Sequence, residues 1–170
     1  MIIDLANVVT RPKTIELTFV PNEIDLGGDG AALARNVSFQ GKTERVDGKA
    51  HVRGTIRADV SIDCTRCLEP VERNFEIPFD VNFVEADDES KVGEREIGLT
   101  SLDESVAENG QIDLAEVVRE QILLAMPEQV YCKEDCNGLC PQCGGNRNLI
   151  DCKCIEDEID PRWAALKSLK

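Results

Sequence analysis

The chain has 170 residues, of which 33 are acidic and 19 are basic, so its formal net charge is −14. A hydrophobic content of 42% excludes a disordered polymer, and the acidic charge argues against a broad nucleic-acid-binding surface and favours basic partners. No stretch reaches the ~20 apolar residues that a membrane span needs, and Met1-Ile2-Ile3-Asp4 has no basic segment ahead of an apolar one. We therefore expect a cytoplasmic protein without a membrane partner, in which disulfides are rare.

Alternating apolar and polar residues predict β-strands over residues 14–84. The apolar positions of these runs are Ile15, Leu17 and Phe19; Val37 and Phe39; Val52, Gly54, Ile56, Ala58, Val60 and Ile62; and Phe75, Ile77, Phe79, Val81 and Phe83. Between the second and third runs, Asp47-Gly48 predicts a tight hairpin. Consecutive strands with short turns predict an antiparallel β-meander with one buried face.

One helix is strongly signalled after residue 112. Asp113 is expected to be its N-cap, and Glu116 three residues later completes a capping-box pattern. Pro127 predicts that the helix ends near Met126. The apolar stripe of this helix is expected to face the core and contains Leu114, Val118, Ile122 and Ala125.

These elements divide the chain into three regions and predict an α+β protein. Residues 1–90 form the antiparallel sheet with the first Cys-x2-Cys knuckle, and residues 91–111 form an acidic, glycine-containing connector. Residues 112–170 contain the main packed helix, a cysteine-rich zinc-binding segment and a short C-terminal helix, as one structural unit with the sheet. Asp160-Pro161 predicts the start of that last helix, whose apolar side would carry Trp163, Leu166 and Leu169.

Eight cysteines carry the chemistry of the chain. Cys64 and Cys67 lie between two predicted strands, and six more follow in a short downstream segment: Cys132, Cys136, Cys140, Cys143, Cys152 and Cys154. Short-spaced cysteine pairs without a secretion signal predict zinc ligands, because a structural zinc takes four sulfur or nitrogen ligands in a closed tetrahedron. Disulfides and an iron–sulfur cluster are the alternatives. The eight thiols are enough for one or two structural zinc ions.

Two pairings of these cysteines are open. In the first, the last four members close one site across a short loop at small entropic cost, and Cys64 and Cys67 meet Cys132 and Cys136. In the second, the two Cys-x2-Cys knuckles share one ion, as in an ordinary zinc ribbon. We favour the first pairing. The single histidine, His51, lies in the middle of a predicted strand and is expected at the surface rather than in a metal site.

Basic residues lie in or near the knuckles; they are Arg66, Arg73, Lys133, Arg147 and Lys153. They either offset the charge of the thiolates or form a local contact with a partner, for which Arg66 and Arg147 are the candidates. Any direct contact with RNA is expected to be local, because a zinc ion with four thiolates adds a further −2 to an acidic chain.

Four sequence blocks, taken in order, resemble a known family. The blocks are Cys64-Thr65-Arg66-Cys67-Leu68-Glu69-Pro70, residues 113–127, Cys136-Asn137-Gly138-Leu139-Cys140-Pro141-Gln142-Cys143-Gly144, and Asp160-Pro161-Arg162. They are similar to the YceD family, the large ribosomal RNA subunit accumulation proteins, in its cysteine-rich form, and the resemblance covers residues 35–170. The family usually places an apolar residue between two asparagines after the second knuckle, where this chain has Asn146-Arg147-Asn148.

The resemblance implies a role in accumulation of large-subunit ribosomal RNA, hence in ribosome biogenesis. It implies a zinc-binding factor that is not an enzyme, has no small-molecule substrate and acts by binding a ribosomal protein or a large-subunit precursor. The genes of the family tend to neighbour that of a small zinc-ribbon protein of the large subunit.

Two other classes of function are weighed against this one. A thiol–disulfide oxidoreductase would use Cys64 and Cys67, but that pair lies between strands and lacks the helix N-terminus that usually lowers a thiol pKa. A zinc-ribbon adaptor in transcription would need a groove-reading helix rich in arginine and lysine, and the sequence offers none. We find no P-loop, dinucleotide fingerprint or Gly-x-Ser-x-Gly motif.

Overall fold

The computed structural model describes residues 1–28, 30–85 and 104–154. In these residues it has eight strands and one α-helix: β1 (Ile2–Asp4), β2 (Lys13–Phe19), β3 (Ala31–Leu33), β4 (Val37–Val46), β5 (Lys49–Asp63), β6 (Pro70–Glu85), β7 (Glu104–Ala107), β8 (Gln111–Asp113) and α1 (Leu114–Ala125). Single 3-10 turns lie at Leu5–Asn7, Pro21–Glu23 and Glu108–Gly110. The predicted C-terminal helix, with Trp163, Leu166 and Leu169, lies outside the described residues, as does the Asp160-Pro161-Arg162 block.

The central sheet has the strand order β2-β4-β5-β6-β7, and β3 pairs with the end of β5. β4, β5 and β6 form two successive hairpins, which confirms the predicted antiparallel strands of this region. The first hairpin turns at Asp47-Gly48, where φ is 50° and 83°, the two positive values that suit a tight two-residue turn. The second hairpin pairs Asp63 with Pro70, so the Cys64–Cys67 knuckle is its tip.

The sheet is mixed rather than purely antiparallel, which corrects the predicted meander. β7 runs parallel to β6, with Asn82 opposite Glu104 and Glu85 opposite Ala107. Parallel neighbours need a long crossover, and residues 86–103 separate these two strands in the sequence. A second, two-stranded sheet pairs β1 with β8 and leads directly into the helix.

Helix α1 begins and ends where the sequence predicts. The Asp113 carboxylate accepts a hydrogen bond from the Ala115 N–H at 3.0 Å, and Met126 forms the C-cap. Glu116 pairs with Arg119 at 2.9 Å. Among the described residues, no helix is long and apolar enough to cross a membrane.

The core lies between one face of the sheet and the helix. Its fully buried side chains include Phe39, Val52, Ile56 and Val60 from the sheet and Leu114, Val118 and Ile122 from α1. These are positions that the period-two and helical patterns assign to the interior. Arg119 extends the helix contact by donating from Nε to the Asp25 carbonyl at 2.6 Å.

Two glycines let β4 and β5 approach closely beneath the aromatic part of the core. Gly41 lies opposite Gly54, which in turn lies opposite Phe79. A Cβ at Gly54 would lie 2.4 Å from the Gln40 carbonyl oxygen and 2.6 Å from the Gly41 Cα. Both contacts are with backbone, which cannot move aside without disturbing the pairing.

We predict that Gly54→Ala lowers the free energy of unfolding by about 1–3 kcal/mol, because the added methyl group overpacks the β4–β5 pair. Urea denaturation measures this change. Gly28→Ala is the matched control, since a Cβ at Gly28 meets no atom within 4 Å. Equal stability of the two variants would contradict the close packing of these strands.

Candidate metal centres

The tip of the β5–β6 hairpin presents the first two thiols on a tight turn. The Cys64 N–H donates to the Glu69 carbonyl at 2.8 Å, and the Leu68 N–H donates to the Cys64 carbonyl at 2.9 Å. Leu68 takes a left-handed conformation with φ of 60°, which turns the chain back into β6. The turn holds Cys64 and Cys67 on one side, and both are buried.

The segment after α1 folds back onto this tip. The backbone N–H of Thr65 donates to the Val130 carbonyl at 2.8 Å, and its hydroxyl donates to the same oxygen at 3.0 Å. The Arg66 guanidinium donates to the Cys136 carbonyl at 3.1 Å. Pro127 ends the helix a few residues earlier, so the chain is free to run along the hairpin tip.

These contacts assemble the inner centre, which we define as Cys64, Cys67, Cys132 and Cys136. Its four sulfur atoms lie within 4.8 Å of one another. The Sγ atoms of Cys64 and Cys136 are 3.8 Å apart, and those of Cys67 and Cys132 are 3.5 Å apart. Cys132 is exposed, whereas the other three are buried among Val71, Tyr131 and Leu139.

The outer centre is local in sequence and consists of Cys140, Cys143, Cys152 and Cys154, whose sulfurs also lie within 4.8 Å of one another. Its knuckle is closed by the Gly144 N–H, which donates to the Cys140 carbonyl at 2.8 Å, and by the Cys140 N–H, which donates to the Gly145 carbonyl at 2.8 Å. Gly144 has φ of 69°, a conformation that glycine adopts without strain. Cys143 and Cys154 are exposed.

The two centres touch through the segment that joins them. The Leu139 N–H donates to the Arg66 carbonyl at 2.9 Å, and the Arg147 N–H donates to the Gly138 carbonyl at 2.9 Å. Gly138 is buried in this contact, and a Cβ there would lie 3.0 Å from the Arg66 carbonyl oxygen. Glycine therefore allows the close approach of the two knuckles.

The eight thiols gather in the first of the two groupings considered from the sequence. Cys64 and Cys67 meet Cys132 and Cys136, and the two Cys-x2-Cys knuckles do not share a site. His51 lies elsewhere, on β5, with Nε2 2.7 Å from the Asp80 carboxylate.

In the outer centre, the pKa values of Cys140 and Cys154 shift in opposite directions. Hydrogen bonds from the backbone of Cys143 and Gln142 lower the pKa of Cys140 to about 6. Hydrogen bonding with the Cys143 thiol, and then with Cys140, raises the pKa of Cys154 to about 12. A bound cation would favour the thiolate form of these ligands.

The inner centre shows the same division. Burial acts to raise the pKa of Cys64, but hydrogen bonds from the backbone of Arg66, Cys132 and Cys67 outweigh it and lower the value to about 6. Desolvation and the thiols of Cys67 and Cys136 raise the pKa of Cys132 to about 12. Bound metal would remove this conflict, because a coordinating thiol is deprotonated by the ion.

The donor sets fit a tetrahedral metal ion. A zinc–sulfur distance of ~2.3 Å in a regular tetrahedron separates the sulfurs by roughly 3.8 Å. The two measured separations of the inner centre, 3.5 Å and 3.8 Å, are close to this value. Two four-cysteine clusters of this kind could hold metal ions.

The two candidate contact arginines differ in their surroundings. The Arg66 guanidinium stacks over the Tyr131 ring at 4.4 Å in addition to its bond to Cys136, so part of its function is structural. The Arg147 side chain is exposed and has no contact of this kind within the described residues. Both arginines flank Gly138, Arg66 through its carbonyl and Arg147 through its N–H.

Sequence reasoning assigned no role to three polar residues that support the centres. Asn148 donates from Nδ2 to the Cys136 sulfur at 3.3 Å, and Asn146 donates from Nδ2 to the Glu69 carboxylate at 3.2 Å. The hydroxyl of Thr65 fixes the segment after the helix. The Asn-x-Asn spacing inside the outer loop is the one signal that could have indicated the first two.

The fold and its centres define a class: an α+β protein with a mixed sheet and two four-cysteine clusters, one of which is built on the tip of a hairpin. The sequence model of the family described as "Large ribosomal RNA subunit accumulation protein YceD" matches residues 52–170. The chain belongs to the YceD family. The match includes most of β5, all of β6 and α1, and all eight cysteines.

Relatives come from bacteria and plants. The chain is 28% identical over 179 residues to a protein of Mycobacterium bovis, covering 98% of this chain and 79% of the relative. YlbN of Bacillus subtilis is 30% identical over 135 residues, covering 74% and 73% respectively. A Zea mays protein, 24% identical over 89% of this chain and 59% of its own length, is named large ribosomal RNA subunit accumulation protein YCED homolog 1, chloroplastic. No solved structure matches the chain.

We predict that Arg66→Ala lowers the free energy of unfolding by about 1–2 kcal/mol, because it removes both the contact with the Tyr131 ring and the hydrogen bond to Cys136. Arg147→Ala is the matched control and should leave stability unchanged. Chemical denaturation of both variants checks this. Stability that is insensitive to Arg66 would contradict its role in joining the hairpin tip to the segment after α1.

Proposed function

We propose that this protein is a non-enzymatic, zinc-binding factor that assists assembly of the large ribosomal subunit and the accumulation of its RNA. Membership of the YceD family is the observation that carries the proposal, and the name of the plant relative describes the same process. The two centres add a mechanism, since structural metal would make the hairpin tip and the cysteine-rich segment one rigid surface for a partner.

Zinc is the metal that these donors favour. Sets of four cysteine sulfurs suit a closed, tetrahedral structural site, and neither set includes the open position that a catalytic zinc needs. The inner ion would be held by Cys64, Cys67, Cys132 and Cys136, and the outer ion by Cys140, Cys143, Cys152 and Cys154. Zinc supplies charge neutralisation and crosslinking there, and the chain supplies the geometry.

Zinc ligation also disfavours the oxidoreductase alternative. Cys64 and Cys67 contact the sulfurs of Cys136 and Cys132, so a bound ion would occupy the thiolates that such chemistry needs free. The low pKa of Cys64 is then a property of a ligand rather than of a nucleophile. Thiol alkylation that stops when zinc is added would agree with this interpretation.

The partner is proposed to be a basic ribosomal protein or a precursor particle that contains one. The net charge is −14, and two zinc ions with eight thiolates would make it about −18, so long-range attraction favours a basic surface. Direct RNA contact would be local to the positive residues around the centres, above all the exposed Arg147. We further propose that the protein acts in the cytoplasm, without a membrane partner and without a small-molecule substrate.

We predict that the purified protein binds two zinc ions per chain and that Cys140→Ser or Cys143→Ser removes about one of them. The segment after residue 136 should then become more accessible to protease, because metal binding is coupled to folding of the loop. Metal analysis and limited proteolysis measure both effects. Unchanged zinc content in these variants would show that the outer thiols are not ligands.

A second prediction concerns the biological role. Depletion of the protein should reduce the amount of large-subunit ribosomal RNA relative to small-subunit RNA, and the protein should co-sediment with large-subunit precursors. Arg147→Ala should weaken co-sedimentation without loss of zinc. Arg57→Ala is a matched control, because Arg57 pairs with Glu76 on the sheet, away from both centres. Unaltered ribosomal RNA on depletion and absence from precursor fractions would contradict the proposal.

A further inference from the structure

The loop of the outer centre reaches back to the inner centre through a side-chain amide. Asn148 lies between Cys143 and Cys152, and its Nδ2 donates to the Cys136 sulfur at 3.3 Å. Cys136 belongs to the other cluster. Hydrogen bonds to ligand atoms orient those ligands and strengthen metal binding.

The amide of Asn148 is held in one orientation by its other bonds. Its Oδ1 accepts from the Asn137 N–H at 3.0 Å, and its Nδ2 also donates to the Asn146 Oδ1 at 2.9 Å. The backbone N–H of Asn148 donates to the same Asn146 oxygen at 3.0 Å. These hydrogen bonds within the loop therefore fix the side-chain rotamer of Asn148 and hold its Nδ2 against the Cys136 sulfur.

The loop itself is shaped between the outer ligands. The N–H groups of Leu149 and Ile150 both donate to the Asn146 carbonyl at 3.0 Å, which turns the chain toward Cys152. Asn146 makes a second link to the hairpin tip by donating to the Glu69 carboxylate. Closing the outer tetrahedron would fix both ends of this loop and so fix the position of the Asn148 amide.

We propose that Asn148 is a positioning residue that couples the two centres, so that zinc at the outer centre strengthens zinc binding at the inner centre. The inference rests on the proposed zinc binding at both sites. Its physical basis is that an outer ion orders the loop in advance, so the inner ion gains the hydrogen bond to Cys136 without a further cost in loop entropy. By linkage, the inner ion strengthens the outer one by the same factor.

The test is a cycle of variants in which zinc is titrated against a chromophoric chelator. The zinc affinity of the inner centre is measured with the outer centre intact and with the outer centre disabled by the double substitution Cys143→Ser and Cys154→Ser. A second double variant, Cys64→Ser and Cys136→Ser, disables the inner centre and so shows which of the two affinities belongs to which centre. Partners of metal ligands typically change affinity about 10- to 100-fold. We expect a loss in this range when the outer centre is disabled, and a similar loss for Asn148→Ala in the intact protein.

The cycle separates coupling from a merely structural effect. Asn148→Ala should have little further effect once the outer centre is disabled, because the amide is then no longer held against Cys136. Asn137→Ala is the matched control: its side chain is exposed and lies next to Cys136 in the sequence, and only its backbone N–H contacts Asn148. Asn148→Asp, which keeps the shape but removes both Nδ2 hydrogens, provides a second variant if the alanine variant does not fold.

One result would overturn the coupling and leave the proposed zinc binding intact. In that result the chain binds two zinc ions, but the zinc affinity of the inner centre does not depend on the outer centre. An equal loss for Asn148→Ala in both backgrounds would also overturn it. A chain that binds no zinc would overturn both proposals together.

Discussion

One constraint governs this molecule: the tip of the β5–β6 hairpin must meet the segment that follows α1. Cys64 and Cys136 are 72 residues apart in the chain, yet their sulfurs lie 3.8 Å apart. Backbone and hydroxyl hydrogen bonds from Thr65 to the Val130 carbonyl bring the two segments together without involving any thiol. Closing so long a loop costs entropy, which the core between sheet and helix and these bonds offset. The inner centre is the consequence of that closure, and the outer centre is placed by it.

The two centres differ in how much of the fold depends on them. The inner one joins distant parts of the chain and is largely buried, so metal there would be coupled to packing of the hairpin tip against the segment that follows α1. The outer one closes a short loop and has two exposed cysteines, so it reaches the rest of the fold only through the contacts of that loop. Two hydrogen bonds connect the two centres: one from the Leu139 N–H to the Arg66 carbonyl, and one from the Asn148 amide to the Cys136 sulfur. Bound metal would make this surface more rigid than the hydrogen bonds alone can.

The sequence predicted the elements that are specified by residues close to one another in the chain. The periods of β4 and β5, the Asp47-Gly48 turn and the Asp113 cap each depend on neighbouring residues, and the structure agrees with them. The sequence did not predict β7, because four residues are too few to show an alternating pattern. Its pairing with β6 also has no local signal, since the two strands are far apart in the sequence. The link from Asn148 to Cys136 and the stacking of Arg66 on Tyr131 are tertiary contacts with no signature in spacing. The grouping of the thiols was open for the same reason.

The region matched by the family begins within β5 and includes both centres, whereas β2 and β4 lie before it. Those two strands still contribute buried residues such as Phe39, so they complete the core on which the matched region packs. The part of the chain that the family model matches therefore comprises most of the long hairpin, the helix and the eight cysteines. The basic residues Arg66, Lys133, Arg147 and Lys153 lie in the first knuckle and the cysteine-rich segment, and Glu69, Glu134, Asp135 and Asp151 lie in the same parts of the sequence. The net charge of −14 attracts basic surfaces at long range, while the exposed Arg147, which lies in the loop between Cys143 and Cys152, offers a local positive group.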